Sequence, residues 1–248
     1  MQLYFHNEKL LYGKIPTDLP PPIETYIDFD GETIELGELT SRDIEAINGD
    51  FRLLSLRDVY REISPDLYAK AQHGYQILHW RREYHFCPQC GKPLIRESKP
   101  EKVMRCQNCH KDYYPRINPA VIVAITCNDK ILLAERQMPT GNFYSLIAGF
   151  VEPGETIEDA VRREVMEEVG IELDTLSYVS SQPWPFPNNL MLGFEATAKD
   201  TDLSPDGEEV KNADWFAHNG MPANLPQPLS IARKLINRWL KKMESSND

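Results

Sequence analysis

The sequence predicts an α+β protein in three parts: a small α+β domain over residues 1–83, a cysteine ribbon over 84–115, and a mixed-sheet domain over 116–242. Three observations predict it. The first third holds a hairpin signal and two helix starts. Two C-x-x-C pairs stand fifteen residues apart in the middle. The last part sets β-rich runs on both sides of one acid-rich helix.

In the first part, Leu3 to Tyr12 carries two short apolar runs, and Pro20, Pro21 and Pro22 mark a loop. Tyr26 to Leu36 alternates around Asp30-Gly31, a hairpin signal. One helix is expected to begin near Ser55. Another begins at Ser64-Pro65-Asp66, where a cap, a proline at the first helical position and an acid coincide. Gly74 interrupts the second helix. His73, His79 and His85 show no ligand spacing and read as packing or surface residues.

The ribbon is Cys87-Pro-Gln-Cys90 and Cys106-Gln-Asn-Cys109, with Gly91 available for a tight knuckle. Four thiolates at this spacing close a tetrahedral zinc site, one ion per chain. No open coordination position remains, so the zinc is expected to be structural. A redox pair would need only one C-x-x-C. Cys127, the fifth cysteine, falls in a strand and reads as an inert thiol.

In the third part, β-rich runs flank Asn128-Asp129-Lys130, Phe143 to Phe150 reads as a strand, and Leu173 to Ser181 as another. Between the last two lies Gly149 to Ile171. Pro153 and Gly154 break regular structure, Thr156 caps a helix with Asp159 as reciprocal partner, and Gly170 suits a left-handed stop. At about 100° per residue from Ile157, Ala160, Val161, Val165 and Val169 define an apolar arc, and Glu164 and Glu168 fall inside it. A solvated acidic face would lie opposite. Like charges so placed are unfavourable unless a cation neutralises them, and carboxylates suit Mg²⁺ or Mn²⁺. Ser181 to Met191 alternates prolines with Trp184 and Phe186, which predicts a rigid extended segment.

Composition bounds the function. The 248 residues are 41% hydrophobic and 26% charged, with a net charge of −11. That balance disfavours a dedicated nucleic-acid or anionic-membrane binder. No apolar run approaches the roughly 18 residues of a membrane span, and the N-terminus lacks a signal-peptide pattern. No membrane association and a cytoplasmic location are expected.

Gly149, Glu155, Arg163, Glu164, Val165, Glu167, Glu168, Gly170 and Ile171 match every fixed position of the Nudix box, G-x5-E-x7-R-E-U-x-E-E-x-G-U. The third part therefore resembles the Nudix hydrolases. With the ribbon and Ser-Gln-Pro-Trp-Pro-Phe-Pro, in that order, it resembles their NADH pyrophosphatase branch from about Phe86 onward. The resemblance implies an α/β/α sandwich with a mixed sheet. It implies hydrolysis of NAD(H) to nicotinamide mononucleotide and AMP, removal of NAD caps from RNA 5′ ends, and a homodimer.

Carried across residue by residue, it implies two to three Mg²⁺ or Mn²⁺ ions on Glu164, Glu168, Glu209 and the carbonyl of Ala148, with Glu167 in a supporting place and Glu208 adjacent. It implies a substrate site from Gln182, Pro183, Trp184, Pro185, Phe186, Pro187, Asn188 and Asn189, with Glu209, Tyr114, Ala232, Arg57 and Glu101. Phe150 is expected to stack on the nicotinamide ring. Arg163 is placed to pair with Glu167. Water attack on phosphorus is expected, with Glu168, Glu164 or Glu167 accepting the proton. One rival is a Nudix hydrolase for ADP-ribose or a dinucleoside polyphosphate. Another is a nucleic-acid-binding module built on the ribbon, with an inactive Nudix domain. A third takes NAD-capped RNA as the physiological substrate, with Arg81, Arg82, Lys92, Arg96, Lys99 and Lys102 near its phosphates; a solvated surface is the preferred reading of those residues.

Overall fold

The computed structural model describes residues 1–14, 19–27, 30–97, 102–137 and 141–245. The chain forms two compact units, Met1–Arg116 and Ile117–Asp248.

In the first unit, β1 (Gln2–His6), β2 (Lys9–Gly13), β3 (Glu24–Ile27), β4 (Thr33–Glu38) and β5 (Phe51–Leu54) make one sheet in the order β3-β4-β1-β2-β5. The hairpin expected about Asp30-Gly31 is present: β3 runs antiparallel to β4, and Gly31 takes φ 81°. A short helix, α1 (Ser41–Ala46), lies between β4 and β5 with a reciprocal Thr40–Asp43 capping box. The helix expected near Ser55 is a single turn, α2 (Leu56–Asp58), which widens through Val59–Ile63. Ser64 restarts it as α3 (Pro65–Glu83), its hydroxyl accepting from the Leu67 N–H with proline next in line. Gly74 does not break α3. A Cβ there would lie 3.0 Å from Leu36 Cδ1 and 3.2 Å from the Tyr26 hydroxyl, so glycine lets the helix sit close on the sheet. The unit ends in a small antiparallel sheet of β6 (Leu94–Arg96), β7 (Met104–Cys106) and β8 (Asp112–Tyr113).

The second unit is built on one mixed sheet. Its strands are β9 (Asn118–Cys127), β10 (Lys130–Arg136), β11 (Phe143–Ser145), β12 (Ile147–Phe150), β13 (Leu173–Trp184), β14 (Asn189–Ala198) and β15 (Ala213–Ala217). The order is β11-β10-β9-β14-β13, with β12 also on β9 and β15 on β10. β9 and β14 are parallel, and the other pairs are antiparallel. Asn128 and Asp129 both adopt left-handed φ, 46° and 58°, which turns β9 into β10. The single strand expected over 143–150 is two. β11 follows β10, and after Leu146 the chain crosses to pair with β9.

Alternation along the strands divides the interior into two cores. Val121, Val123, Ile125, Leu132, Ala134 and Ile147 pack with Ala160, Val161, Val165 and Val169 of α4 (Ile157–Val169). Ile122, Ala124, Ile131, Leu133 and Leu146 pack with Ile231, Ala232, Leu235, Ile236 and Trp239 of α5 (Ile231–Ser245). The result is the helix–sheet–helix sandwich the resemblance implied. No helix among the described residues is long and apolar enough to cross a membrane.

Candidate active site

Helix α4 is terminated as its sequence dictates. Thr156 Oγ1 accepts from the Asp159 N–H at 3.1 Å and donates to the Asp159 carboxylate at 2.6 Å. Gly170 closes the helix at φ 71°. The helix rests on β12, and its acids divide by burial. Glu168 is 2% exposed, the Glu164 side chain 12%, and the Glu167 side chain 59%. Ile157 falls within the arc but, as the first residue of the helix, is exposed.

Glu164 is seated by the absence of a side chain opposite it. A Cβ on Gly149 would fall 1.8 Å from Glu164 Cδ. The first glycine of the box is therefore a space for a carboxylate rather than a hinge. Burial raises the Glu164 pKa, and Arg163 works against that rise.

Arg163 gathers three acids. Its Nε and Nη2 hold both oxygens of Glu155 at 2.7 and 3.0 Å, and Nη1 reaches Glu164 and Glu167, each at 2.9 Å. Nη2 also donates to the Phe150 carbonyl at 2.9 Å, which ties β12 to the helix. The expected Arg163–Glu167 pair is one contact of this larger set. Phe150 itself is 55% exposed.

Glu168 has a different partner. Arg136, at the end of β10, donates from Nη2 to Glu168 Oε2 at 2.7 Å. Oε1 is buried without a hydrogen-bond partner among the described residues. Burial pushes the Glu168 pKa up to about 7; Arg136 opposes the rise, and Glu164 and Glu209 add to it. Sequence reasoning missed Arg136. It lies thirty-two positions before Glu168 and outside the box, so only β10–α4 packing brings the two together.

Glu209 lies on the segment between β14 and β15. Asp206 organises that segment by accepting from the N–H groups of Glu208, Glu209 and Val210. The segment is joined to α4 through Asp206 N–H to the Glu168 carbonyl at 3.2 Å, and to Arg136 through the Glu209 carbonyl at 3.4 Å. Its charge reaches both Glu164 and Glu168. Ala148 is in β12, paired with Ile122 and directly before Gly149. Among the described residues, the acids of α4 and Glu209 do not form a set of three or more donor oxygens within 4.8 Å of one another. A hard divalent ion still fits this donor set, because a buried carboxylate oxygen with no partner is a ligand in want of a cation.

The proline-rich stretch is extended at both ends but not throughout: Gln182, Pro183 and Trp184 finish β13, Pro185–Asn188 form a turn, and Asn189 opens β14, with Trp184 opposite Asn189. The prolines fit because Pro183 lies near a strand end and the other two lie in the turn. The Phe186–Pro187 bond is cis. Trp184 and Phe186 meet edge to face at 5.1 Å. Asn188 is buried, its Oδ1 accepting from Asn118 Nδ2 at 2.8 Å. Gln182 is buried, donating to the Leu229 carbonyl at 2.9 Å, with its own oxygen unpartnered among the described residues. Ala232 is 5% exposed inside the α5 core.

The cysteines meet. Cys87, Cys90, Cys106 and Cys109 place four sulfurs within 4.8 Å of one another, with Sγ–Sγ distances of 3.5, 3.5 and 3.8 Å. Metal–sulfur bonds of about 2.3 Å in a tetrahedron put sulfurs close to this far apart, so the cluster fits a four-thiolate metal. Each knuckle closes alike: Gly91 N–H to the Cys87 carbonyl at 2.8 Å, His110 N–H to the Cys106 carbonyl at 2.9 Å, both residues at positive φ. Burial works against the Cys87 thiolate, but the Tyr113 hydroxyl and the Gln89 and Cys90 N–H groups lower its pKa on balance.

Arg57 and Tyr114 belong to the first unit; both are exposed, and Arg57 lies in α2. Glu101 and Lys99 lie outside the described residues. Of the other cations near the ribbon, Arg81 and Arg96 share Glu24, and Arg82 pairs with Glu38. Lys102 lies 3.2 Å from His73 and over the Tyr26 ring.

A short acid-bearing helix seated on a glycine strand of a mixed sheet defines a class. Residues 116–240 match the family profile described as NUDIX domain, and the chain belongs to that family. Its relatives are more particular. It is 41% identical over 222 residues to the NAD-capped RNA hydrolase NudC of Klebsiella pneumoniae (strain 342), covering 88% of this chain and 85% of the relative. It is 40% identical over 214 residues to the protein of the same name from Stutzerimonas stutzeri (strain A1501), covering 86% and 76%. The first alignment spans 222 residues, more than the 163 from Phe86 to Asp248, so the likeness reaches into the N-terminal third. Among solved structures, a NUDIX hydrolase from Nitrosomonas europaea superposes with a TM-score of 0.56 at 23% identity, over 64% of this chain and 92% of that one. That likeness concerns the fold.

Proposed function

We propose that this chain hydrolyses the pyrophosphate bond of NAD(H), giving nicotinamide mononucleotide and AMP, and removes NAD caps from RNA 5′ ends. The observation that carries the chemistry is the pair of acids on α4: Glu164 seated on Gly149, and Glu168 buried with one oxygen unpartnered. The names of the relatives support the substrate class. In this reading Glu164, Glu168, Glu209 and the Ala148 carbonyl hold two to three Mg²⁺ or Mn²⁺ ions. Such ions neutralise charge on phosphoryl oxygens and acidify bound water.

The residues do the rest. Arg163 fixes Glu155, Glu164 and Glu167 as one rigid group. One of the α4 glutamates, Glu168, Glu164 or Glu167, accepts the proton of the attacking water. Phe150, exposed and fixed through its carbonyl, offers a face to the nicotinamide ring, and the Gln182–Asn189 hairpin borders the dinucleotide. Tyr114, Arg57, Glu101 and Ala232 complete the substrate set by family correspondence. The four cysteines hold a structural zinc ion. A homodimer in the cytoplasm completes the reading.

Chromatography after incubation with NADH tests the reaction. AMP and reduced nicotinamide mononucleotide should appear in equal amounts, and turnover of NADH and NAD-capped RNA should exceed that of ADP-ribose. Preference for ADP-ribose or a dinucleoside polyphosphate would overturn the assignment.

A further inference from the structure

We propose that Arg136 is a positioning residue for the cation site. It pins Glu168 by one carboxylate oxygen, reserves the other for metal, and couples that carboxylate to the segment bearing Glu209. The inference rests on the reading of the α4 acids as metal-holding groups.

A carboxylate in a cavity can exchange its two oxygens by rotation. Arg136 Nη2 at 2.7 Å from Oε2 removes that freedom, and the oxygen left over is the buried, unpartnered Oε1. The other terminal nitrogen, Nη1, lies 3.4 Å from the Glu209 carbonyl. The Asp206 N–H meets the Glu168 carbonyl from the same segment at 3.2 Å. One guanidinium thus joins the end of β10, the last turn of α4 and the Glu209 segment. Arg163 is committed elsewhere, to Glu155, Glu164 and Glu167. Lysine could not do both jobs, because one ammonium lacks the planar fork.

Two roles for Arg136 make opposite forecasts. A guanidinium that only adds positive charge repels a metal ion, so its removal should tighten binding. A guanidinium that positions the ligand should weaken binding when removed. Mn²⁺ titration without substrate, read from the electron paramagnetic resonance signal of the free ion, separates them. Arg136→Gln should bind Mn²⁺ about tenfold more weakly or worse, with an unchanged far-ultraviolet circular dichroism spectrum. Arg136→Lys should fall between it and the native protein, and serves where the glutamine variant does not fold. Raising Mn²⁺ should recover kcat in Arg136→Gln. Equal or tighter binding in that variant overturns the proposal, as does a lower melting temperature with unchanged affinity. If the native protein takes up no Mn²⁺, or Glu168→Gln takes up as much, the acid site itself is misread.

Discussion

The Cα of Gly149 faces the carboxylate of Glu164 so closely that a β-carbon on the glycine would overlap Glu164 Cδ at 1.8 Å. Gly149 pairs with Val121 in the sheet, so its backbone cannot retreat. Gly149→Ala should therefore push Glu164 out of place. A displacement of about 1 Å at a reacting centre can lower turnover about 100-fold. Steady-state kinetics should show that loss in kcat, with the circular dichroism spectrum retained.

Glu168 sets a pH dependence of stability. Its carboxyl is held at about 7 in the folded chain, above the ordinary carboxylate value from which burial raises it. Between those two values the folded protein binds more protons than the unfolded chain, so stability falls as pH rises. The fall is on the order of 3 kcal/mol. Thermal melts of chelator-treated protein from pH 4.5 to 8 should show it. Glu168→Gln should flatten the slope, and Mg²⁺ should restore stability at the upper end. A native protein that gains stability over this range would refute the assignment.

Arg163 meets Glu155 with two nitrogens and Glu164 and Glu167 with a third. Arg163→Lys keeps the charge and loses the fork. Turnover should drop about 10- to 100-fold, as for other partners that orient metal ligands. Glu155→Gln should weaken the same fixture, and the double variant should be less impaired than the two single losses multiplied.

On the proposed assignment of metals, the carboxylate site and the thiolate site should separate on chelation. Carboxylate-bound Mg²⁺ exchanges readily, whereas four thiolates hold zinc tightly enough to support folding. A moderate chelator should stop NADH hydrolysis while the spectrum is unchanged. Cys106→Ser, which removes a fully buried sulfur from the cluster, should release zinc to a colorimetric dye and lower the melting temperature.

What could be read from the chain alone follows contact range. The helix caps, the ribbon knuckles, the Asn128-Asp129 turn and the inward placement of Glu164 and Glu168 are local, and each appears at its stated position. Arg136 depends on a neighbour far along the chain and carries no motif. The break at Leu146 depends on which neighbouring strand each half pairs with, which no local pattern encodes. The proline segment is extended only at its ends, for a physical reason. Proline favours extended dihedrals, and a strand end and a turn satisfy them as well as a loop does. α5 carries a local signal of the same kind, since Ile231, Leu235, Ile236 and Trp239 recur at helical spacing.

Strand β9 touches both halves of the chemistry. On one side Val121 and Ala120 register Gly149 and Phe150; on the other Asn118 registers Asn189 and grips Asn188. The gap between the α4 acids and the proline hairpin is thus ruled off along a single β-ladder. Such a gauge has no adjustable screw. On the proposed reading, molecules whose diphosphate and base are spaced differently would be turned away by length, before any individual contact is tried.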